Sequence, residues 1–154
     1  MRSGGNVGSI AHKIIAVMEK MAGKKRAFYG PPMKNKACSI SPMELVFNFT
    51  EEELDIASKL DNEVSDLKKN ILYLMEQKIH EINETKIREY SLIHGELVPE
   101  HIFILDNGDI GLIDIEGVKY FDIEYDWALI NITYGDMIPL PKSINKEKLE
   151  FYKL

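Results

Sequence analysis

The chain has 154 residues, of which 45% are hydrophobic and 29% are charged, and its formal net charge is -6. This length fits one domain, since domains usually have about 100–200 residues, and the acidic charge disfavours nucleic acid as a partner. No run of about 18 uncharged apolar residues is present, so we expect no membrane span. The N-terminus lacks the apolar core of a secretory signal, and the single cysteine, Cys38, excludes an internal disulfide. Both observations predict a cytoplasmic protein.

The basic residues are concentrated at the start of the chain. Residues 1–42 carry eight Lys or Arg and one acidic residue, whereas residues 43–154 carry eleven basic and twenty-four acidic residues. The run Lys24, Lys25 and Arg26 can be interpreted as a docking patch for an anionic partner. It can also be interpreted as cations in the last turn of a helix, where they interact favourably with the helix dipole. The second interpretation is favoured.

The start of the chain predicts a helix followed by a loop. Residues 1–8 contain three glycines and predict a flexible lead-in. Ser9 is then a plausible N-cap for a helix over residues 10–21, in which apolar residues recur every three or four positions, as on one buried face. Residues 23–42 are basic and are interrupted by Gly30 and three prolines, so we expect a long loop there.

Residues 51–83 contain neither Gly nor Pro and predict one long helix. Thr50 fits its N-cap, with Glu53 three residues later as in a capping box. Between residues 60 and 74, leucine, valine and isoleucine alternate at spacings of four and three, which is typical of a coiled coil. The pattern covers about two heptads, which is short for a coiled-coil dimer. We therefore favour a helix packed on its own domain, with a homodimer through residues 51–83 as the alternative.

The second half of the chain has the pattern of short strands. Apolar segments over residues 91–93, 101–105 and 110–115 predict three strands, and the Asp-Asn-Gly turn signal between the last two predicts a β-hairpin. Residues 122–132 predict a helix whose Tyr125 and Trp127 belong to the core. A last helix, capped by Ser143, continues to the final residue.

Two acidic residues lie at the borders of the predicted hairpin. Glu96 precedes its first strand, and Asp114 stands at the end of its return strand. Acids presented from adjacent loops suit metal-assisted phosphoryl transfer, in which one carboxylate orients the attacking hydroxyl and the other holds magnesium on the nucleotide phosphates. Acidic residues are also common in solvated loops, so the pair alone does not decide between these interpretations.

The surrounding sequence resembles a known family. Residues 92–127 read LIHGELVPEHIFILDNGDIGLIDIEGVKYFDIEYDW, which is similar to the catalytic region of the aminoglycoside phosphotransferases, a family with the protein-kinase-like fold that includes macrolide and choline kinases. The resemblance implies an α+β, mainly helical single domain over residues 1–154. This domain corresponds to the large C-terminal lobe of such a kinase, with a β-hairpin carrying the catalytic loop and with the N-terminal nucleotide lobe absent.

The resemblance also implies roles for individual residues and implies Mg2+ with ATP or GTP as cofactors. Glu96 stands where the family has its catalytic base, and His94 matches a largely structural loop histidine. His101 and Asp114 match the residues that bind magnesium with the nucleotide, and Glu116, at the acidic position two residues beyond Asp114, is a further candidate metal ligand. Asp126 matches an aspartate that braces the catalytic loop.

Two departures from the family pattern lead to alternatives. The family normally has aspartate at position 96, and the extra methylene of Glu96 moves the carboxylate outward. His101 replaces an asparagine, although macrolide phosphotransferases also have histidine there, and imidazole suits magnesium less well than oxygen does.

The implied function is transfer of the nucleotide γ-phosphate to a small-molecule hydroxyl. The alternatives are an inactive, truncated pseudokinase and a helical dimerisation or binding module. Structural explanations also exist for single residues, such as a backbone hydrogen bond for His94 and a helix cap for Asp126.

Overall fold

The computed structural model describes residues 7–33, 38–82 and 89–154. In these residues the chain forms a mixed α+β structure, which confirms the predicted class. The helices are α1 (Val7–Ala22), α2 (Pro42–Ala57), α3 (Asn62–Glu81), α4 (Ile123–Tyr134) and α5 (Lys146–Tyr152). The strands are β1 (Lys25–Arg26), β2 (Tyr90–Ile93), β3 (Ile102–Ile104), β4 (Ile110–Leu112) and β5 (Lys119–Phe121).

Helix α1 confirms the predicted N-terminal helix but begins earlier than expected. Position 9 lies inside the helix, so the prediction that Ser9 is the N-cap was wrong. Residues 7 and 8 of the predicted lead-in are helical, and residues 1–6 lie outside the described residues. The expected apolar face is buried, with Ile14 and Met18 packed in the same cluster as Trp127.

The basic run after α1 is not part of a helix. Lys25 and Arg26 form β1, whose residues pair with Ser91 and Tyr90 of β2. Helix α1 ends at Ala22, so the interpretation of the run as cations in a last helical turn was wrong. Most of the other described residues in the range 23–42 form a loop, as predicted, but Pro42 is the first residue of α2. Residues 34–37 lie outside the described residues.

The predicted long helix over residues 51–83 is divided into two helices, α2 and α3. Helix α2 begins after Ser41, whose side chain and that of Glu44 form a reciprocal capping box, so position 50 is helix interior and not the cap. The turn over residues 58–61 ends α2, and the Asp61 side chain then caps α3. Asp61 is the N-cap of a new helix, and its backbone is therefore extended rather than helical. This break interrupts the apolar stripe of the predicted coiled coil. Leu60 lies in this turn and is 85% exposed.

The two helices form a helical hairpin that surrounds its own apolar cluster. Met43 of α2 and Met75 of α3 are buried in this cluster together with Phe151 of α5. Leu67 and Leu74, which belong to the apolar stripe of the predicted coiled coil, are exposed. The favoured expectation, that this segment packs on its own domain, therefore holds through a face of α3 that contains Met75 and Ile71.

The strands form two small antiparallel sheets. Strand β2 lies between β1 and β5 in a three-stranded sheet, and β3 pairs with β4 in the predicted hairpin, with Ile102 opposite Leu112. The hairpin turn places Gly108 at φ 79, a backbone conformation that favours glycine. The return strand stops at Leu112 rather than at residue 115, because the chain turns at Asp114 and enters the short 3-10 turn Ile115–Gly117.

Helix α4 crosses the centre of the molecule and positions the candidate site. Trp127 and Ile130 are fully buried in its core-facing side, so the expectation that Trp127 belongs to the core is confirmed. The following helix α5 is capped by Asn145, whose side chain accepts hydrogen bonds from two backbone amides, and not by Ser143 as predicted. Over the described ranges, no helix combines the length and apolarity that crossing a membrane requires.

Candidate functional site

The loop after β2 and the turn after β4 bring three of the predicted site residues together. Glu96, His101 and Asp114 each offer one ligand atom, and these three atoms all lie within 4.8 Å of one another. His101 Nε2 is 3.4 Å from Asp114 Oδ2. Glu116 is exposed on the following 3-10 turn and is not a member of this group. The predicted residues thus form a cluster of two carboxylates and one imidazole.

The ring of His101 is oriented by a backbone hydrogen bond. Its Nδ1 lies 2.7 Å from the backbone oxygen of Glu96. A carbonyl oxygen only accepts, so Nδ1 carries the proton in this bond. This hydrogen bond fixes the ring so that Nε2 faces Asp114, and Nε2 is the atom with which His101 could bind a metal ion. The backbone at residue 113 also donates to the His101 carbonyl, with a nitrogen to oxygen distance of 3.1 Å.

The backbone of Asp114 has a conformation that aspartate rarely adopts. Its φ of 57 and ψ of 59 lie in the left-handed region, and it is the non-glycine residue with positive φ in the described ranges. Such a conformation costs about 1–3 kcal/mol and concentrates at sites where the strain orients a functional group. Here the strained turn directs the chain out of β4 and holds the Asp114 carboxylate beside His101.

Asp126 fastens the loop that carries Glu96. Its two carboxylate oxygens accept hydrogen bonds from the backbone amides of His94 and Gly95, at 2.7 Å and 2.8 Å. Burial raises the pKa of Asp126, and the two backbone hydrogen bonds oppose that effect. The N-cap position of α4 belongs to Asp122, so the carboxylate of Asp126 braces the loop rather than capping the helix.

His94 joins the same loop to the strand that leads to Asp114. Its ring is fully buried, and Nε2 lies 2.9 Å from the backbone oxygen of Ile113, to which it donates. Within the described part of the chain, Nδ1 of this ring has no hydrogen-bond partner. His94 therefore acts on the two backbones that position Glu96 and Asp114, which agrees with a structural role.

Two glycines allow the loop and the turn to touch. Gly95 has φ 87, and a Cβ built on it would overlap the carbonyl oxygen of Gly117 and lie 2.9 Å from the carbonyl carbon. A Cβ on Gly117 would lie 3.2 Å from Glu96 Cγ. No side chain fits in this contact, so the glycines set how closely Glu96 approaches the turn after Asp114.

Lys119 was not predicted as a site residue. It lies on β5, and its Cε is 3.3 Å from the position of a Cβ on Gly95. Burial lowers the pKa of Lys119, while the charges of Asp126 and Glu96 raise it. Neither the strand nor this proximity has a sequence signal, because β5 has three residues and its neighbours in space are distant in the chain.

The donor set of the cluster fits a magnesium ion bound together with phosphates. Mg2+ is usually held by one or two carboxylates and by substrate phosphate oxygens, and it keeps several waters. Glu96 and Asp114 offer two carboxylates, and His101 adds a nitrogen that suits transition metals better. Comparisons of the chain with protein-family models, with curated proteins and with solved structures find no match.

Proposed function

We propose that this protein transfers the γ-phosphoryl group of ATP or GTP to a hydroxyl of a small molecule, with Mg2+ as cofactor. The observation that supports this proposal is the cluster of Glu96, His101 and Asp114, whose ligand atoms lie within 4.8 Å of one another. The kinase-like fold and the family resemblance belong to the same proposal. A loop fastened by Asp126 and a strained turn at Asp114 are what a preorganised site requires.

Each residue of the cluster has a role in the proposed reaction. Glu96 accepts the proton of the attacking hydroxyl, and Asp114 holds the metal with His101 as a further ligand. A bound magnesium ion neutralises charge that develops on the transferring phosphoryl group. Glu96 is exposed, so its carboxylate is accessible to an acceptor molecule. Glu116 lies outside the cluster and receives no role.

The role of Glu96 is tested by measuring transfer of labelled γ-phosphate from ATP and GTP to a panel of hydroxyl compounds. Removal of a general base typically lowers the rate by about 100-fold to 10,000-fold, and we expect a loss of this size for Glu96→Gln. Glu100→Gln is the matched control, because Glu100 is an exposed acid of the same loop outside the cluster. Transfer that is equally fast in Glu96→Gln and in the unmodified protein would contradict the assignment.

A second candidate is nucleotide binding without transfer, as in a pseudokinase. It is favoured by the longer side chain at position 96 and by the imidazole of His101, which suits magnesium less well than an oxygen ligand does. This candidate predicts magnesium-dependent nucleotide binding without phosphoryl transfer to any acceptor.

A dimeric binding module predicts instead that the chain forms an oligomer whose population depends on protein concentration and not on nucleotide. Light scattering detects such an oligomer.

A further inference from the structure

A cavity next to the catalytic loop has the size of a small-molecule site. It lies between α2, β5 and the start of α4 and has a volume of about 420 Å³. Small-molecule sites typically have volumes of about 300–1,000 Å³ and are lined mainly by apolar and aromatic side chains. The walls include Leu45, Phe49 and Leu54 of α2 on one side and Phe121 and Tyr125 on the other.

The inner wall of this cavity carries one cation, Lys119. Its Nζ lies 5.0 Å from the ring centroid of Phe121 and 4.6 Å from that of Tyr125. In the described part of the chain, the ammonium group donates no hydrogen bond to protein. Both oxygens of the nearby Asp126 accept from backbone amides, and Glu96 acts on Lys119 only through its charge. The donors of this partly buried ammonium are therefore available to water or to an oxygen atom of a ligand.

Among the residues that line the cavity, the charged residue besides Lys119 lies at the exposed rim. Glu53 of α2 lines the opening and is exposed to solvent, where its field is screened. A cationic ligand would meet the Lys119 ammonium at the faces of Phe121 and Tyr125, which that ammonium already occupies. The interior therefore favours a ligand with an apolar body and an anionic end.

We propose that this cavity binds an apolar organic acid, with its carboxylate on Lys119 and its body between Phe49, Leu54 and Phe121. Glu96 lies beside this cavity, because its neighbour Gly95 abuts the Lys119 side chain. A hydroxyl on the same acid is then presented to Glu96, which makes the acid the phosphoryl acceptor. The acceptor role rests on the proposed function, whereas binding of the acid does not.

The test compares three ligands of nearly the same shape by calorimetric titration, without nucleotide or metal. They are 2-naphthoate, 2-naphthylmethanol and 2-naphthylmethylammonium. We expect 2-naphthoate to bind about tenfold more tightly than the alcohol or the cation, because a charge-assisted hydrogen bond contributes at least that factor. Lys119→Met keeps the length of the side chain and removes this preference. Lys69→Met, at an exposed lysine of α3, keeps it.

Further results separate this inference from its alternatives. Phe49→Ala, at an exposed position of the wall, is expected to weaken all three ligands by a similar factor. The inference is overturned if the three ligands bind equally, if the cation binds most tightly, or if the preference persists in Lys119→Met. It is also overturned if folded protein does not bind millimolar 2-naphthoate. A negative phosphoryl-transfer assay leaves these results unchanged, so the two proposals fail separately.

Discussion

The carboxylate of Asp126 is the residue-scale feature on which the candidate site depends most. Asp126→Ala leaves the buried backbone amides of His94 and Gly95 without acceptors, and each such loss costs about 1–3 kcal/mol. We expect the free energy of unfolding in urea to fall by about 2–5 kcal/mol. Asp136→Ala is the control, because Asp136 is exposed, and its effect should stay within about 0.5 kcal/mol. Equal losses for the two variants would contradict the bracing role.

Gly95 permits the close approach of the loop after β2 to the turn after β4. Gly135 is compared with it in order to separate the cost of the backbone conformation from the cost of the steric contact. In Gly95→Ala the methyl group overlaps the carbonyl of Gly117, and φ is 87. Gly135 also has positive φ, at 54, but a Cβ there meets nothing within 4 Å. Gly135, with φ 54 and ψ -134, has a backbone conformation that residues with a side chain rarely adopt. We expect a loss of about 1–3 kcal/mol for Gly135→Ala from this backbone conformation alone, and a loss larger by about 1–3 kcal/mol for Gly95→Ala, because its methyl group also overlaps a carbonyl. Thermal unfolding of both variants measures the difference, and equal shifts would exclude the steric contact.

Sequence reasoning identified the cluster but not its surroundings. Glu96, His101 and Asp114 were found because they lie in a short motif whose order is readable along the chain. Lys119 was not found, because the pairing of β2 with β5, which places Lys119 opposite Ile93 and so near the loop of Glu96, joins residues that are distant in the chain. The left-handed backbone of Asp114 also has no sequence signal, since aspartate rarely adopts it.

At the scale of elements, the sequence offers two possible capping boxes for α2, and their residues have the same spacing. Ser41 with Glu44 and Thr50 with Glu53 both fit a capping box, but the structure uses the first pair. Ser41→Ala should therefore lower the free energy of unfolding by about 1 kcal/mol. Thr50→Ala places a better helix former inside α2 and should change it by less than about 0.5 kcal/mol. Urea unfolding compares the variants, and a larger loss for Thr50→Ala would place the cap at residue 50.

Local signals also explain which elements were predictable. The β3–β4 hairpin was predicted because its turn sequence and its two apolar strands are adjacent in the chain. The pairing of β1 with β2 joins Lys25 to Ser91, and no local pattern encodes a contact over that separation. The division of the long helix at residues 58–61 was missed because the segment lacks Gly and Pro, while Asp61 is a cap that resembles an ordinary surface acid.

At the scale of the whole molecule, the loop that carries Glu96 borders two candidate ligand sites. The cluster of Glu96, His101 and Asp114 lies beside the β3–β4 hairpin, and the cavity with Lys119 lies beside α2. Asp126 of α4 holds the loop that borders both sites. In the proposed reaction the cluster would hold the nucleotide with its metal, and the cavity would hold the acceptor.

The most direct test of the cluster as a site for a nucleotide with magnesium, which phosphoryl transfer requires, is calorimetric titration of the 154-residue chain with ATP and with GTP, with and without Mg2+. Asp114→Ala removes a carboxylate of the cluster, and Asp136→Ala removes an exposed acid elsewhere. We predict heat of binding that requires Mg2+, that is lost in Asp114→Ala and that persists in Asp136→Ala. Absence of heat at millimolar nucleotide from folded protein, or equal heat in Asp114→Ala, would contradict the assignment of this cluster to phosphoryl transfer.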